Sequence, residues 1–407
     1  MDQAVPVLPL TVQDVRQAAD RIAGRVLRTP TIVSAVLSRM TGANIVLKLD
    51  NLQAVGSFKE RGAANRLSLL TQAERRRGVI AMSAGNHAQG VARHASLLGI
   101  ASTIVMPEHT PLAKVSGTAA WGATVVLHGG TVEEAAAHAT LLAERDGLVF
   151  IHPYDDAAVM AGQGTLALEM LADGPKLDAL LVPVGGGGLI SGCAIAVAAI
   201  APETQVIGVQ MAGYSALAQR RGAAAHPIGG ATIAEGIAVR DVGVLTGRVI
   251  QALVSDVLVA SDVQVETAIA MLAEYAKVVP EGAGAAGLAG LLANRARFAG
   301  KTVGLVICGG NIDVRVLSNI MLRGLLRDGR LLRLRMDIPD RPGVLADIAA
   351  RIGGSGGNII EVNHQRLFAS PSVQSAQLEV MVEARDPAHA TQIEAALASA
   401  NYIVHRI

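Results

Sequence analysis

The chain has 407 residues and carries 35 basic against 34 acidic side chains, a formal charge of +1. At about 150 residues per domain it has room for two or three domains, and with 51% hydrophobic residues it can bury a large core, which excludes a disordered chain. The balanced charge and the 2% of aromatic residues argue against a protein built around nucleic acid, which calls for basic patches and stacking rings.

The N-terminal MDQAVPVLPLTVQDVRQ has no basic stretch followed by an apolar core, so no signal peptide is expected. Cys193 and Cys308 are the only cysteines. They are too few for a disulfide framework, and a reducing, cytoplasmic setting is the expectation. The first motif is Gly56-Ser57-Phe58-Lys59-Glu60-Arg61-Gly62-Ala63. A lysine beside an arginine is ordinarily a solvated face. Lys59, however, follows an apolar Phe58 and opens a helical stretch, so a pocketed, nucleophilic amine is the sharper reading. A β-branched run over 79–82 then leads into Ser83-Ala84-Gly85-Asn86-His87-Ala88-Gln89-Gly90 and a helix over 88–98. A loop between strand and helix offers N–H, hydroxyl and amide donors to an anion such as a carboxylate. The alternative is an ordinary capped helix start.

Strands are expected over 103–106 and 124–127, with a helix over 132–145. Residues 179–202 carry no charge, which raises the question of a membrane span. Pro183 and Gly185-Gly186-Gly187-Gly188 cut that stretch. A strand over 180–184, a glycine loop and a helix from Leu189 fit better, so no membrane partner is expected. Four consecutive glycines cost backbone entropy and suit a backbone wrapped around a ligand, a phosphate at a helix start foremost. The loop is not a P-loop and matches G-x-G-x-x-G poorly. Strands follow over 206–209 and 303–307, the second running into Cys308-Gly309-Gly310-Asn311, and Pro280-Glu281-Gly282-Ala283-Gly284 is one more loop opening a helix. Read alone, Cys308 is a buried small hydrophobe. Apolar strands alternating with helices imply an α/β fold with parallel sheets.

Residues 323–330 are polar and glycine-punctuated, a linker in expectation. Beyond them, strands over 331–338, 358–366, 375–384 and 402–407 with helices over 343–352 and 387–399 give the β-α-β-β-α-β order of a ferredoxin-like α+β domain.

Taken together and in this order, S-F-K-x-R-G-A, S-A-G-N-H-A-Q-G, G-G-G-G-L and C-G-G-N resemble the fold-type II (tryptophan synthase β-like) pyridoxal-phosphate enzymes, most closely the threonine dehydratases, also called threonine ammonia-lyases. The resemblance runs over roughly 11–322. The tail resembles an ACT domain, an amino-acid-sensing module, through Asp340-Arg341-Pro342-Gly343-Val344-Leu345 and Gly357-Asn358-Ile359. This implies a catalytic domain over 1–322 with a small subdomain near 51–152, a linker over 323–330, and an ACT-like regulatory domain over 331–407.

The resemblance implies pyridoxal 5′-phosphate as cofactor, held by Lys59 as a Schiff base, whose freed amine would then take the substrate α-proton. Phe58 would lie near the ring, Asn86 would bond its 3′-oxygen, and Gly185, Gly186, Gly187, Gly188 and Leu189 would hold its phosphate. Glu281 would lie near the ring, and Cys308 would face the pyridine nitrogen. A thiol there leaves the ring neutral and a weaker electron sink than an aspartate would, which favours prompt loss of a β-hydroxyl. Ser83, Ala84, Gly85, Asn86 and His87 would grip the substrate carboxylate.

The implied reaction is β-elimination of L-threonine to 2-oxobutyrate and ammonia, with L-serine as secondary substrate. L-serine dehydratase or hydroxyaspartate ammonia-lyase is the alternative on the same scaffold, and a non-catalytic amino-acid sensor is the alternative of another class. Ala84 stands where serine racemases carry a serine, so racemisation should be poor. Gln210, Tyr214 and Ala216 stand in the region of those racemases' divalent-cation carboxylates, so no metal site is expected there. Asp340, Arg341, Pro342, Gly343 and Asn358 would form an effector site between two copies of a homo-oligomer, dimer or tetramer. Isoleucine and valine are the candidate effectors.

Overall fold

The β-branched runs of the first three-quarters of the chain pair side by side and in the same direction. In the computed structural model, which describes residues 8–366 and 374–407, the chain divides into two units, Met1–Ile312 and Asp313–Ile407. Residues 1–7, the start of the stretch read for a signal peptide, lie outside the described residues.

The first unit holds two sheets. The larger has the order Thr31–Val33, Asn44–Leu49, Thr302–Ile307, Ala179–Pro183, Gln205–Met211, Asp256–Ala260. Every pair in it is parallel except the edge strand Thr31–Val33, which runs antiparallel to its neighbour. Ala179–Pro183 is buried at every position, as a strand covered by helices on both faces must be. The smaller sheet has the order Thr124–Leu127, Ser102–Met106, Val79–Met82, Val149–Phe150, all parallel. The helices Ala157–Asp173 and Gly188–Ile200 are buried over most of their length. They cross closely because Gly164 and Gly192 meet at the contact: a Cβ on Gly164 would lie 2.6 Å from the Gly192 carbonyl oxygen. The uncharged stretch 179–202 is thus a strand, a loop and a helix, and among the described residues no helix is long and apolar enough to cross a membrane.

Three of the loops singled out in the sequence follow the carboxyl end of a strand: Ser83 after Val79–Met82, Gly185 after Ala179–Pro183, and Cys308 after Thr302–Ile307. That is where open parallel sheets place their ligands.

The second unit corrects the expected linker. Residues 314–327 form one helix, Val314–Arg327, whose first turn is capped by the Asp313 carboxylate accepting from the N–H groups of Arg315 and Val316. Gly324 lies buried within it. One helical glycine costs about 1 kcal/mol relative to alanine, which a good cap offsets. The chain turns instead at Gly329, with φ +62. Beyond it lies an antiparallel sheet in the order Asn358–Gln365, Ser375–Glu383, Leu331–Pro339, Val404–Arg406, with helices Val344–Gly354 and Pro387–Ala398 between strands. This is the ferredoxin-like order. Leu331–Pro339 alternates, with Leu332, Leu334, Met336 and Ile338 in a core shared with Leu378, Val380, Ile348 and Ile393.

Candidate active site

Lys59 opens the helix Lys59–Ser68. Its Nζ donates to the carbonyl of Pro153 at 2.7 Å and lies 5.2 Å from the centre of the Phe58 ring. The stem keeps some exposed surface, but protein encloses the amine, and desolvation pushes its pKa down to about 8, with Cys308 and Glu281 opposing.

The other groups arrive from strand ends. The Phe58 N–H donates to the Cys308 carbonyl at 2.9 Å, and Ser57 bridges to Gly309. The lysine loop is therefore stitched to the loop after Thr302–Ile307. Cys308 is buried, and burial pushes its thiol pKa well above the ordinary value. At neutral pH it is an S–H. Asn86 opens the next helix, Asn86–Leu97. Its Nδ2 donates to both carboxylate oxygens of Glu281, at 2.9 and 3.1 Å, and its Oδ1 accepts from Nδ2 of Asn311 at 2.7 Å. Burial raises the Glu281 pKa, with Asn86 opposing.

Gly187 adopts φ +94, a left-handed conformation that favours glycine, and caps the helix Gly188–Ile200. The first N–H groups of that helix, at Gly188 and Leu189, have no carbonyl one turn back to bond. A bare backbone cradle with free N–H groups suits a phosphate. Part of the glycine requirement has another source, however. A Cβ on Gly186 would run into the Tyr154 ring, and one on Gly188 would lie 3.0 Å from Tyr154 Cα. The protein's own packing demands these glycines alongside any ligand.

The Ser83–His87 loop divides. The Ser83 hydroxyl accepts from the Gly85 N–H at 3.1 Å, and Ala84 packs on the apolar core of the smaller sheet. The His87 side chain points into the interior. It is buried, its Nε2 donates to the Ile151 carbonyl at 2.9 Å, and burial pushes its pKa down to about 3. Only its backbone N–H, in the first turn of the helix, is left for an anion. Gln210 and Tyr214 are likewise engaged: Gln210 accepts from the Ala218 N–H at 3.0 Å, and the Tyr214 hydroxyl donates to the Gly230 carbonyl at 2.7 Å.

Two parts of the site are not legible in the sequence. Arg61, two residues after Lys59, is fully buried rather than a solvated face. It donates to Asp50 at 2.6 and 2.8 Å and to Glu169 at 2.7 and 2.8 Å, and Glu169 also accepts from Lys48 at 2.6 Å. Burial alone would raise the Asp50 carboxyl, but Arg61 overrides it and holds it below the usual carboxylate range. This neutral quartet fixes the start of the helix that carries Lys59. The second part is the turn His152-Pro153-Tyr154-Asp155-Asp156, which supplies both the Lys59 acceptor and the ring behind the glycines. Its polar, proline-containing composition was the available signal.

The residues fit a phosphate-bearing aldehyde. A deprotonatable amine, a glycine cradle and the buried Ser57 hydroxyl, which finds no partner among the described residues, lie on joined segments. The family profile described as pyridoxal-phosphate dependent enzyme matches residues 22–309.

The chain belongs to the pyridoxal-phosphate dependent enzymes.

Pyridoxal phosphate is the cofactor of this family and of this chain. Among curated relatives, the L-threonine ammonia-lyase of Thermotoga maritima is 42% identical over 397 residues, covering 97% of this chain and 99% of that protein. Among solved structures, the processed form of threonine deaminase isoform 2 from Solanum lycopersicum matches with a TM-score of 0.72 and 35% identity, over 77% of this chain and 87% of that one. Maize serine racemase matches with a TM-score of 0.72 and 34% identity, over 78% and 98%. The pyridoxal-phosphate family fold is thus shared by lyases and racemases.

In the C-terminal unit the expected regulatory residues do not meet within one chain. Gly343, with φ +92, caps the helix Val344–Gly354 after Asp340, Arg341 and Pro342, and the Asp340 carboxylate pairs with Arg366 at 3.2 Å. Asn358 donates to Glu383 at 3.2 Å. Strand register sets Pro339 opposite Ser375, whereas Asn358 and Leu331 both lie opposite Glu383. The turn and Asn358 occupy opposite ends of the sheet.

Proposed function

We propose that the chain is an L-threonine ammonia-lyase, converting L-threonine to 2-oxobutyrate and ammonia, with L-serine as secondary substrate. The observation that carries this is Lys59, an amine with pKa about 8 held at the carboxyl edge of both sheets in a chain alike over nearly its whole length to a relative of that name. The cofactor, when bound, supplies the electron sink that makes the substrate Cα–H acidic. Lys59 is the base for that proton, since an amine with a pKa near working pH can both accept and return it. Asn86, fixed by Glu281 and Asn311, orients the cofactor's ring oxygen, with Phe58 beside the ring. Cys308, a neutral thiol, leaves the ring nitrogen without a proton. The N–H groups from Gly185 to Leu189 hold the phosphate, and those of Ser83, Ala84, Gly85, Asn86 and His87 face the substrate carboxylate.

Ala84 has no group to deliver a proton to the opposite face of Cα, which favours elimination over the racemisation performed by the maize relative. Steady-state formation of 2-oxo acid from L-threonine, L-serine and hydroxyaspartate tests the reading. Preference for L-serine or hydroxyaspartate would move the assignment to that substrate, absence of any 2-oxo acid would leave an amino-acid sensor, and abundant D-serine would overturn the role given to Ala84. Both cysteines are free and buried, in keeping with a cytoplasmic enzyme.

The C-terminal unit is proposed as an ACT domain that works between copies of a homo-oligomer. Asn358–Gln365 is an edge strand exposing Ile360 and Val362. Pairing it antiparallel with its own copy about a two-fold axis would bring Asn358 of one chain to the end of the sheet where the other carries Asp340, Arg341, Pro342 and Gly343. An amino acid such as isoleucine or valine would then bind across the pair. Sedimentation velocity with and without these amino acids, alongside kinetics, tests it. A monomer indifferent to both would end the proposal.

A further inference from the structure

His152 belongs to none of the sequence motifs, yet its ring organises the segment that holds Lys59. The chain passes from the strand Val149–Phe150 to the helix Ala157–Asp173 through the turn at 151–156. Within it, Nδ1 of His152 accepts from the N–H of Asp155 at 2.7 Å and of Tyr154 at 3.3 Å. A ring nitrogen that accepts carries no proton, so His152 is the neutral tautomer with its hydrogen on Nε2. These bonds fold the chain back immediately after Pro153. Proline has no N–H, and the carbonyl of Pro153 meets Lys59 Nζ at 2.7 Å.

The flanks of the turn are secured by other means. His87 holds the Ile151 carbonyl. The Asp155 carboxylate accepts from the N–H groups of Val244, Leu245 and Thr246 at 2.8–3.0 Å. Asp156 accepts from the Val159 N–H at 2.9 Å and from Arg66 at 3.0 Å. The peptide groups between these anchors are those that His152 holds.

We propose that His152 is a positioning residue for Lys59: its unprotonated Nδ1 keeps the turn that presents the Pro153 carbonyl to the amine, and protonating the ring undoes that arrangement. The inference rests on Lys59 being the amine that carries the chemistry. The charged and titratable groups around the ring are Lys59 from its helix, His87 from the helix Asn86–Leu97, and Asp155 and Asp156 from the turn itself, with the Tyr154 ring edge-on at 4.7 Å. Burial moves the His152 pKa below the ordinary histidine value, with the two aspartates opposing and Lys59 reinforcing. The ring is therefore neutral at neutral pH and takes a proton only on the acid side.

Two substitutions separate acceptor from volume. In His152→Asn the amide oxygen can occupy the place of Nδ1 but cannot be protonated. His152→Phe keeps the ring and removes the acceptor. Two readouts apply to each full-length protein: kcat/KM for L-threonine against pH, and the rate at which apoprotein takes up added pyridoxal phosphate, followed by absorbance. His152→Asn should stay within a few-fold of the parent and lose the acid inflection assigned to His152. His152→Phe should lower kcat/KM about 10- to 100-fold, the scale of a small misplacement of a reacting group, and slow uptake correspondingly. Parental rates in His152→Phe would overturn the inference. So would His152→Asn retaining the parental inflection below the ordinary histidine value of 6.5, which is separate from the Lys59 inflection near 8; that outcome stays decisive if His152→Phe fails to fold. Should the parent itself take up no pyridoxal phosphate, the reading of Lys59 has failed, and not the role of His152.

Discussion

Around Lys59 the charged side chains are enclosed and share partners. Arg61 spans Asp50 and Glu169, with Arg61 and Asp50 fully buried. At the two ends of the C-terminal sheet, Asp340–Arg366 and Asn358–Glu383 are surface pairs. Buried charges hold one geometry, because removing one partner strands the other in a medium that does not solvate it. Surface pairs are screened and contribute little, so their groups can be re-engaged by whatever arrives. The first region is complete within one chain. In the reading proposed above, the second would have its groups completed by another copy of the chain.

Substitutions can break that contrast, beginning with the most severe. Lys59→Ala should abolish 2-oxobutyrate formation, and Lys59→Arg should be nearly as damaging, because a guanidinium stays protonated. Near-parental turnover in either would remove the premise. Arg61→Met leaves Asp50 and Glu169 without their shared cation, and denaturant unfolding should show a loss of about 3–5 kcal/mol. A loss under about 1 kcal/mol, the range of surface pairs, would erase the distinction between the two regions.

Ending the chain after Arg327 should leave threonine turnover intact, since every residue proposed to touch cofactor or substrate lies upstream. It should also abolish the response to isoleucine or valine, expected in the full chain at about 5–150-fold in affinity. A truncated enzyme that still responds would place the effector site within the first 327 residues.

Two pH effects are milder. Below about pH 8 the Lys59 amine is mostly protonated and cannot attack an aldehyde, so cofactor uptake by apoprotein should accelerate as pH rises through about 8. A flat profile would contradict the enclosure of that amine. His87 stays neutral when folded down to about pH 3, against an ordinary value of 6.5. The unfolded chain therefore binds the extra proton, and stability present above pH 6.5 is lost as pH falls toward 3. His87→Gln should flatten that acid loss, measured as the midpoint of urea unfolding against pH. The smallest effect is expected for Cys308→Ser, where a hydroxyl replaces an S–H toward the same neutral nitrogen; a large loss of elimination would count against that role.

Composition and periodicity carry far where one physical rule dominates. Strands such as Val79–Met82 and Ala179–Pro183 are apolar throughout because both faces are covered, and the loops at Ser83, Gly185 and Cys308 start where such strands end. The rule weakens where burial and polarity coincide. Nothing in the local sequence marks Lys48, Asp50, Arg61 and Glu169 as partners, and Lys48 and Glu169 lie 121 residues apart, so only the folded chain reveals that they neutralise one another. His87 sits in the loop proposed to bind the substrate carboxylate, yet its ring faces the core, because local sequence does not decide which side of a helix start is already occupied. At 323–330 polar residues and two glycines suggest a break, whereas the Asp313 cap and the apolar spacing behind it carry the helix to Arg327. The short strands Thr31–Val33 and Val149–Phe150 are too brief for any period to register.

The Arg61 quartet also bears on the order in which the molecule assembles. Its members come from Asn44–Leu49, the residue that follows it, the helix that begins at Lys59, and Ala157–Asp173. Until that last helix docks, Arg61 and Lys48 lack the Glu169 carboxylate, and burying them would strand positive charge. Contacts over such sequence separations cost loop-closure entropy before they reward it. The amine at the head of the helix is enclosed by groups as distant in sequence as Pro153, Glu281 and Cys308, so its lowered pKa is a property of the folded unit and not of the helix alone.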